Sequence, residues 1–211
     1  MQKIKKQILI PIRLFSSVIV IVMSLQGVAN SEELAAPEYN VKAAFLYNFA
    51  KFITWPHDAF ANSEALFTIC VLGDNPFGSA LKSIEKKNVR ERKITVKLCK
   101  SAELAKKCHI LFISSSEKNK ISEIVSVLQG LPVLTVSDID KSIHSGVMIE
   151  LFKVRENIKF SVNLKAAVNS HIEISSKLLH LAQTIIKSYK KIKVYSRYAR
   201  IKQPYQYNKI K

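Results

Sequence analysis

The run Val41–Pro56, VKAAFLYNFAKFITWP, carries apolar residues at helical spacing. At about 100° per residue, Val41, Ala43, Phe45, Leu46, Phe49, Ala50, Phe52 and Ile53 cover about 200° of the circumference, twice the stripe a surface helix needs. The spacing predicts a helix buried on two sides, or one that lends a face to a partner. Trp55-Pro56 closes it, since the residue before proline is pushed out of the α region. Leu66–Gly73, LFTICVLG, is continuously apolar and reads as a strand buried on both faces. Pro76 opens a helix through about Lys86. Lys93–Leu98 alternates and is β-branched, predicting a second strand. Ser101 caps a short helix with Leu104 and Ala105 inward. His109–Ile113, HILFI, is a further buried strand, and Ser116 caps a helix whose Ile121, Ile124, Val125 and Leu128 recur at helical spacing. Pro132–Val136 is the next strand.

Strands alternating with helices of this length indicate βαβ units and a parallel sheet. Val147–Phe152 and Ile158–Val162 follow, joined by a polar turn at Arg155-Glu156-Asn157, and predict an antiparallel pair at the sheet's side. Leu164–Asn169 leads to a longer helix from Ser175, with Ser176, Lys177, Leu178, Leu179, Leu181, Ala182, Ile185 and Ile186 toward the core. The predicted fold class is α/β: a three-layer sandwich with a mostly parallel, Rossmann-like central sheet extended by an antiparallel pair.

The N-terminus decides the compartment. Lys3, Lys5, Lys6 and Arg13 precede the apolar run Leu14–Leu25, and small residues follow at Gly27-Val28-Ala29 and Ala29-Asn30-Ser31. This is the layout of a cleaved secretory signal over residues 1–31, and the run is short for a membrane span. An uncleaved anchor would hold the same domain outside the membrane. The expected organisation is signal 1–31, α/β domain 32–186 and a C-terminal extension 187–211. The net charge of +17 divides unevenly along it. Residues 32–186 hold 20 basic and 16 acidic residues, whereas 187–211 hold nine basic and none acidic. The strong charge is therefore a property of the tail, whose cations interleave with Tyr189, Tyr195, Tyr198, Tyr205 and Tyr207. Export argues against nucleic acid. Weak contact with anionic lipid headgroups, contact with an acidic partner domain and a solvated extension remain.

Three cysteines, Cys70, Cys99 and Cys108, in an oxidising compartment allow one intramolecular bond and leave one thiol. Cys70 lies in the first buried strand and Cys108 at the start of HILFI. Such strands are commonly neighbours in a doubly wound sheet, which meets the reach of a disulfide. The Cys70–Cys108 bond would contribute roughly 3–4 kcal/mol on the chain-entropy account. Cys99 then stays a buried thiol or forms an intermolecular link.

Catalytic chemistry is not legible. Cys108-His109 suggests a metal or a nucleophile, but no Cys-x-x-Cys or His-x-x-x-His accompanies it, and His57, His144, His171 and His180 show no ligand spacing. No Ser-His-Asp set and no paired acids emerge. No catalytic residue, metal ligand or cofactor is assigned. GDNPFG, Gly73–Gly78, sits where ligands bind in open α/β sheets, but Pro76 lacks an N–H and Asp74 repels anions, so a plain βα turn is the better reading.

These segments together resemble the YfiR family of exported bacterial regulators. The marks are VKAAFLYNFAKFITWP, then ICVLGDNPFG (69–78), CHILFIS (108–114), LTVSD (134–138), GVMIEL (146–151), IKFSVNL (158–164) and ISSKLLHLA (174–182). They occur in family order and cover about residues 38–186. Val147 departs from the pattern, standing where the family usually has a second glycine. The resemblance implies a periplasmic α/β domain without enzymatic activity that binds the periplasmic part of an inner-membrane signalling protein, a diguanylate cyclase or a sensor kinase. It implies repression of that partner, so that cyclic-di-GMP output and biofilm formation follow envelope conditions, with cysteine redox state a recurring theme.

On the residues themselves, Tyr47 and Trp55 are the partner-interface candidates, since the phenylalanines of the same helix belong more naturally to the core. A second copy of the chain is a further partner to consider. The alternative is a periplasmic module binding a small molecule or a peptidoglycan fragment in the crevice near Asp74, Asn75, Ser114 and Ser115. An exported enzyme is disfavoured for want of an acid, base or nucleophile set.

Overall fold

A computed structural model describes residues 37–187, so the expected signal segment and the tail beyond residue 187 lie outside the described residues. The described part opens with α1 (Pro37–Phe52) and a short strand β1 (Ile53–Thr54), followed by β2 (Phe67–Leu72), β3 (Asn88–Val89) and β4 (Arg92–Cys99). Then come α2 (Ala102–Ala105), β5 (Ile110–Ile113), α3 (Ile121–Val127), β6 (Leu134–Ser137), β7 (Ile149–Val154) and β8 (Asn157–Asn163). The described part closes with α4 (Leu164–Asn169), β9 (Glu173–Ile174), α5 (Ser176–Leu181) and β10 (Thr184–Ile186).

Eight strands form one sheet in the order β10-β8-β7-β6-β5-β2-β4-β3. β4, β2, β5, β6 and β7 run parallel, and β7 and β8 form the expected antiparallel pair with Ile149 opposite Val162. Every residue of β2 is buried, as its unbroken apolar run requires. Alternation still sorts its side chains by face. Phe67, Ile69 and Val71 join Ile110 and Phe112 under α1, α4 and α5, whereas Cys70 and Leu72 join Leu111 and Ile113 under α2 and α3. Two apolar clusters flank one sheet, which is the three-layer sandwich.

The structure departs from the sequence pattern in four places. No α-helix follows Pro76: Gly78 takes a left-handed φ of 49°, which breaks a helical run, and only a 3-10 turn forms at Ala80–Ser83. Ser116 does not cap α3, whose N-terminus is preceded by a 3-10 stretch, Ser115–Lys120. Leu104 of α2 faces solvent rather than the core, while Ala105 is buried. The helix from Ser175 ends at Leu181, which is 71 % exposed, and Thr184–Ile186 leaves it to pair in parallel with Ser161–Asn163 of β8. Thr184, Ile185 and Ile186 are β-branched and suit an edge strand better than a last helical turn. Ser101 and Ser175 do cap their helices, accepting from Leu104 N–H and Leu178 N–H.

Candidate functional site

The order of strands reverses between β2 and β5, so the parallel sheet has its switch point there, at the C-terminal ends of those strands. Asp74 and Asn75 follow β2, and Ser114 and Ser115 follow β5, which brings all four crevice candidates to this edge. The bonds they make hold the loops, Asn75 through its side chain and Asp74 and Ser114 through their backbone N–H groups. Asn75 Oδ1 accepts from Phe77 N–H at 3.1 Å, an Asx turn, and Asp74 N–H donates to Ser116 Oγ at 2.9 Å, joining the two loops. Ser114 is buried and its N–H donates to Leu72 O, whereas Asp74, Asn75 and Ser115 are exposed. Gly73 is held at φ 87°, and a Cβ there would run into Ser116 Oγ and Glu117.

The first turns of α1 lie over this edge. Tyr39 packs edge-on against Phe77 with ring centroids 5.2 Å apart. Lys42 Nζ donates to Asp138 Oδ2 at 2.6 Å and to Glu38 Oε1 at 2.9 Å, and Tyr39 Oη donates to the same Asp138 oxygen at 2.8 Å. Lys42 and Asp138 are 6 % and 8 % exposed, so this is an ion pair out of water. Asp138 Oδ1 is buried and meets no protein donor among the described residues. Burial works to lower the Lys42 pKa, but the bonds to Asp138 and Glu38 outweigh it and hold the ammonium above its usual range. Burial, reinforced by the Asp138 carboxylate, pushes Tyr39 up to about 12. Both groups therefore keep their protons at neutral pH, which makes the cluster a clamp between α1 and the end of β6. Lys42 sits inside the apolar arc of its helix, and a lysine there demands a buried anion; that was the available signal.

On the opposite face of the sheet the structure joins Cys70 to Cys108, with Cα atoms 6.0 Å apart. The third cysteine comes to the same place. Cys99 ends β4, is buried, and has its Sγ 3.8 Å from Cys108 Sγ. All three sulfurs lie within 4.8 Å of one another. Sequence spacing shows no such cluster, because it depends on β4 and β5 flanking β2. Burial pushes the Cys99 thiol up, against a smaller pull from Lys97. His109, beside Cys108, is a core residue: its ring stacks between Phe60 at 4.4 Å and Phe67 at 5.0 Å. Thr68 N–H donates to Nδ1, so the ring is neutral and its Nε2–H donates to Ala59 O. Burial holds its pKa below the ordinary value, helped by the nearby Arg92 cation.

The two interface candidates part company. Trp55 turns inward: it is 7 % exposed, its indole N–H donates to His109 O at 3.0 Å, and it packs edge-on against Phe67. An indole so held leaves no face for a partner, so the structure moves Trp55 from the interface to the core. Tyr47 is half-buried at the surface, with Lys51 and Lys87 over its ring at 5.3 and 5.2 Å. The buried arc of α1 is Lys42, Ala43, Leu46, Phe49 and Ala50. Val41 and Phe52 are 46 % and 38 % exposed and Phe45 is half-buried. At about 100° per residue these three lie within about 40° of one another, an apolar stripe on the outer side of the helix.

A cavity of about 350 Å³ opens away from the predicted crevice, between α3, α4 and the turn Ser142–Ser145. Its walls include Leu128, Thr135, His144, Met148, Asn163 and Lys165. Glu150 holds the turn by accepting from Ile143 N–H at 2.8 Å, from Ser142 Oγ and from Lys141 N–H. Gly146, at φ 97°, completes that turn, and Val147 after it is fully buried, so one glycine suffices here.

Among the described residues no helix is long and apolar enough to cross a membrane. No curated protein matches the chain. Two solved structures are similar at 11 % identity. One is the ABC domain in complex with L-Trp from Streptococcus pneumonia, with a TM-score of 0.42 over 56 % of this chain and 55 % of that one. The other is a conserved domain protein from Vibrio cholerae, with a TM-score of 0.46 over 68 % of this chain and 59 % of that one. The similarity thus spans little more than half the length of either. The model of the YfiR/HmsC-like family matches residues 39–183, from Tyr39 of the clamp to the residue before β10, and the chain belongs to that family.

Proposed function

We propose that this protein is a periplasmic, non-enzymatic regulator that binds the periplasmic domain of an inner-membrane signalling protein, a diguanylate cyclase or sensor kinase, and represses it. The observation that carries this reading is the family match over residues 39–183. The stripe Val41, Phe45 and Phe52 supports it, because Val41 and Phe52 are exposed on the outer side of α1 and Phe45 between them is half-buried, one side of its ring packed on Phe49 and Phe160. Tyr47 borders the same helix on another side and is a second contact. The test is affinity capture from detergent-solubilised envelopes with the tagged exported protein. Recovery of a membrane cyclase or kinase is the expected result, with at least about tenfold weaker binding for Val41→Glu or Phe52→Glu. Unchanged capture by both variants would remove α1 from the interface, and failure to recover any membrane signalling protein with well-folded bait would overturn the reading.

The cavity between α3, α4 and the turn Ser142–Ser145 favours a second reading, a binding module for a small molecule or peptidoglycan fragment. Its mixed lining of Leu128, Met148, Thr135, Asn163 and Lys165 suits a ligand with both apolar and polar groups. A thermal-shift screen tests it, since a ligand at 100 times its Kd adds about 2.7 kcal/mol by mass action. Stabilisation that disappears in Asn163→Leu would place the ligand there.

A further inference from the structure

We propose that Cys99 exchanges with the Cys70–Cys108 disulfide, giving the folded protein two interconvertible covalent forms. The arrangement follows from strand order. β2 carries Cys70 at the centre, β4 on one side ends in Cys99, and Cys108 on the other side stands just before β5. In register, Cys99 is opposite Leu72, and Ile110 is opposite Ile69. All three side chains belong to the apolar cluster under α2 and α3. The Cys99 thiol touches Cys108 Sγ at 3.8 Å.

The step balances without an outside oxidant or reductant. Cys99 loses its proton to solvent, its side chain rotates into line with the Cys108–Cys70 bond, and its thiolate attacks Cys108 Sγ. The Cys99–Cys108 bond forms as the Cys70–Cys108 bond breaks. The electron pair leaves on Cys70 Sγ, which then takes a proton. One thiol and one disulfide exist before and after, so only the pairing changes. The high thiol pKa of Cys99 keeps the attacking thiolate scarce, which makes the exchange slow at neutral pH.

The two forms differ in what they tie together. The present bond links β2 to the head of β5 across a separation of 38 residues. The exchanged bond would span nine residues, local to α2. Cys70 is 0 % exposed, Cys108 5 % and Cys99 9 %. The exchange therefore moves the disulfide outward, to the two sulfurs that an external dithiol reaches first, and leaves the free thiol in the core. Cys99 is the route by which a deeply buried bond becomes reducible.

The test is non-reducing peptide mapping of the full exported protein. The protein is held folded at about pH 8.5 without added thiol, quenched in acid and alkylated. The expected result is a Cys99–Cys108 peptide that grows with time to at least roughly a tenth of the molecules, with alkylation appearing on Cys70. Label confined to Cys99 at equilibrium would overturn the proposal, and so would a Cys70–Cys99 peptide. Cys70→Ser, incubated with a low-molecular-weight disulfide as the two-electron oxidant, gives an independent reading where circular dichroism shows it folded: the Cys99–Cys108 bond is expected, and two free thiols would overturn it. Wild-type mapping decides if that variant does not fold.

Discussion

Lys42 sits in the apolar arc of α1, and the structure supplies the anion that this placement demands. Removing one partner of a buried pair strands the other charge, so Lys42→Met should cost about 3–5 kcal/mol in urea denaturation. Restoring neutrality with Lys42→Met and Asp138→Leu together should recover much of the loss, since a buried pair replaced by apolar groups is often neutral. His109 makes a pH-dependent contribution. Its folded pKa lies below the ordinary 6.5, so the unfolded chain binds more protons once the pH falls under that value. Stability from this group is complete above about pH 6.5, declines as pH falls through the folded value, and levels off below it. His109→Gln should be less stable overall but lose less melting temperature between about pH 7.5 and 5 than the wild type. Cys108-His109 was visible in the sequence as a pair. Its role was not, because stacking between Phe60 and Phe67 depends on residues about 50 and 40 positions upstream.

At the scale of elements, α1 carries a buried arc and an exposed apolar stripe on one cylinder. Phe49 is fully buried and packs against Phe45 and Phe160, so Phe49→Ala should cost about 3–5 kcal/mol. Phe52→Ser, one turn on and facing out, should change stability by no more than about 1 kcal/mol while weakening partner capture. Chemical denaturation of both variants beside the capture assay separates the two faces. The helical period was legible from Val41 to Ile53, and so was the excess of apolar surface. Which part of the 200° arc would be covered was not, since that depends on how β8 and α5 pack against it. The same limit applies to residues 175–186. Leu178 and Leu179 read correctly as inward, but Ile185 and Ile186 satisfy a helical period and a strand equally well. The free edge of β8 decided between them.

For the whole molecule, the disulfide ties two central strands across a long loop, so its loss should be felt globally. Cys108→Ser removes both the present bond and its exchange product, and should lower stability by about 2–4 kcal/mol in urea. Cys99→Ser should leave the Cys70–Cys108 bond in place and change stability by about 1 kcal/mol or less, which Ellman titration and denaturation together would check. The Lys42 clamp and the disulfide act on opposite faces of the sheet. Their effects should add within about 0.5 kcal/mol in a combined variant, because they share no contacts.

The sequence alone determined the alternation of strands and helices, the antiparallel pair at 149–163 and the family, because each rests on local period, turn residues or a run of motifs; the pairing of Cys70 with Cys108 was an expectation from fold class that the strand order β4-β2-β5 bears out. Only the tertiary structure decided that Cys99 lies against the disulfide, that Trp55 belongs to the core, and that a cavity opens between α3, α4 and the turn Ser142–Ser145, away from the predicted crevice. These depend on strand order and on which helix covers which face. Strand order places side chains far apart in sequence within a few ångströms, and periodicity carries no record of it.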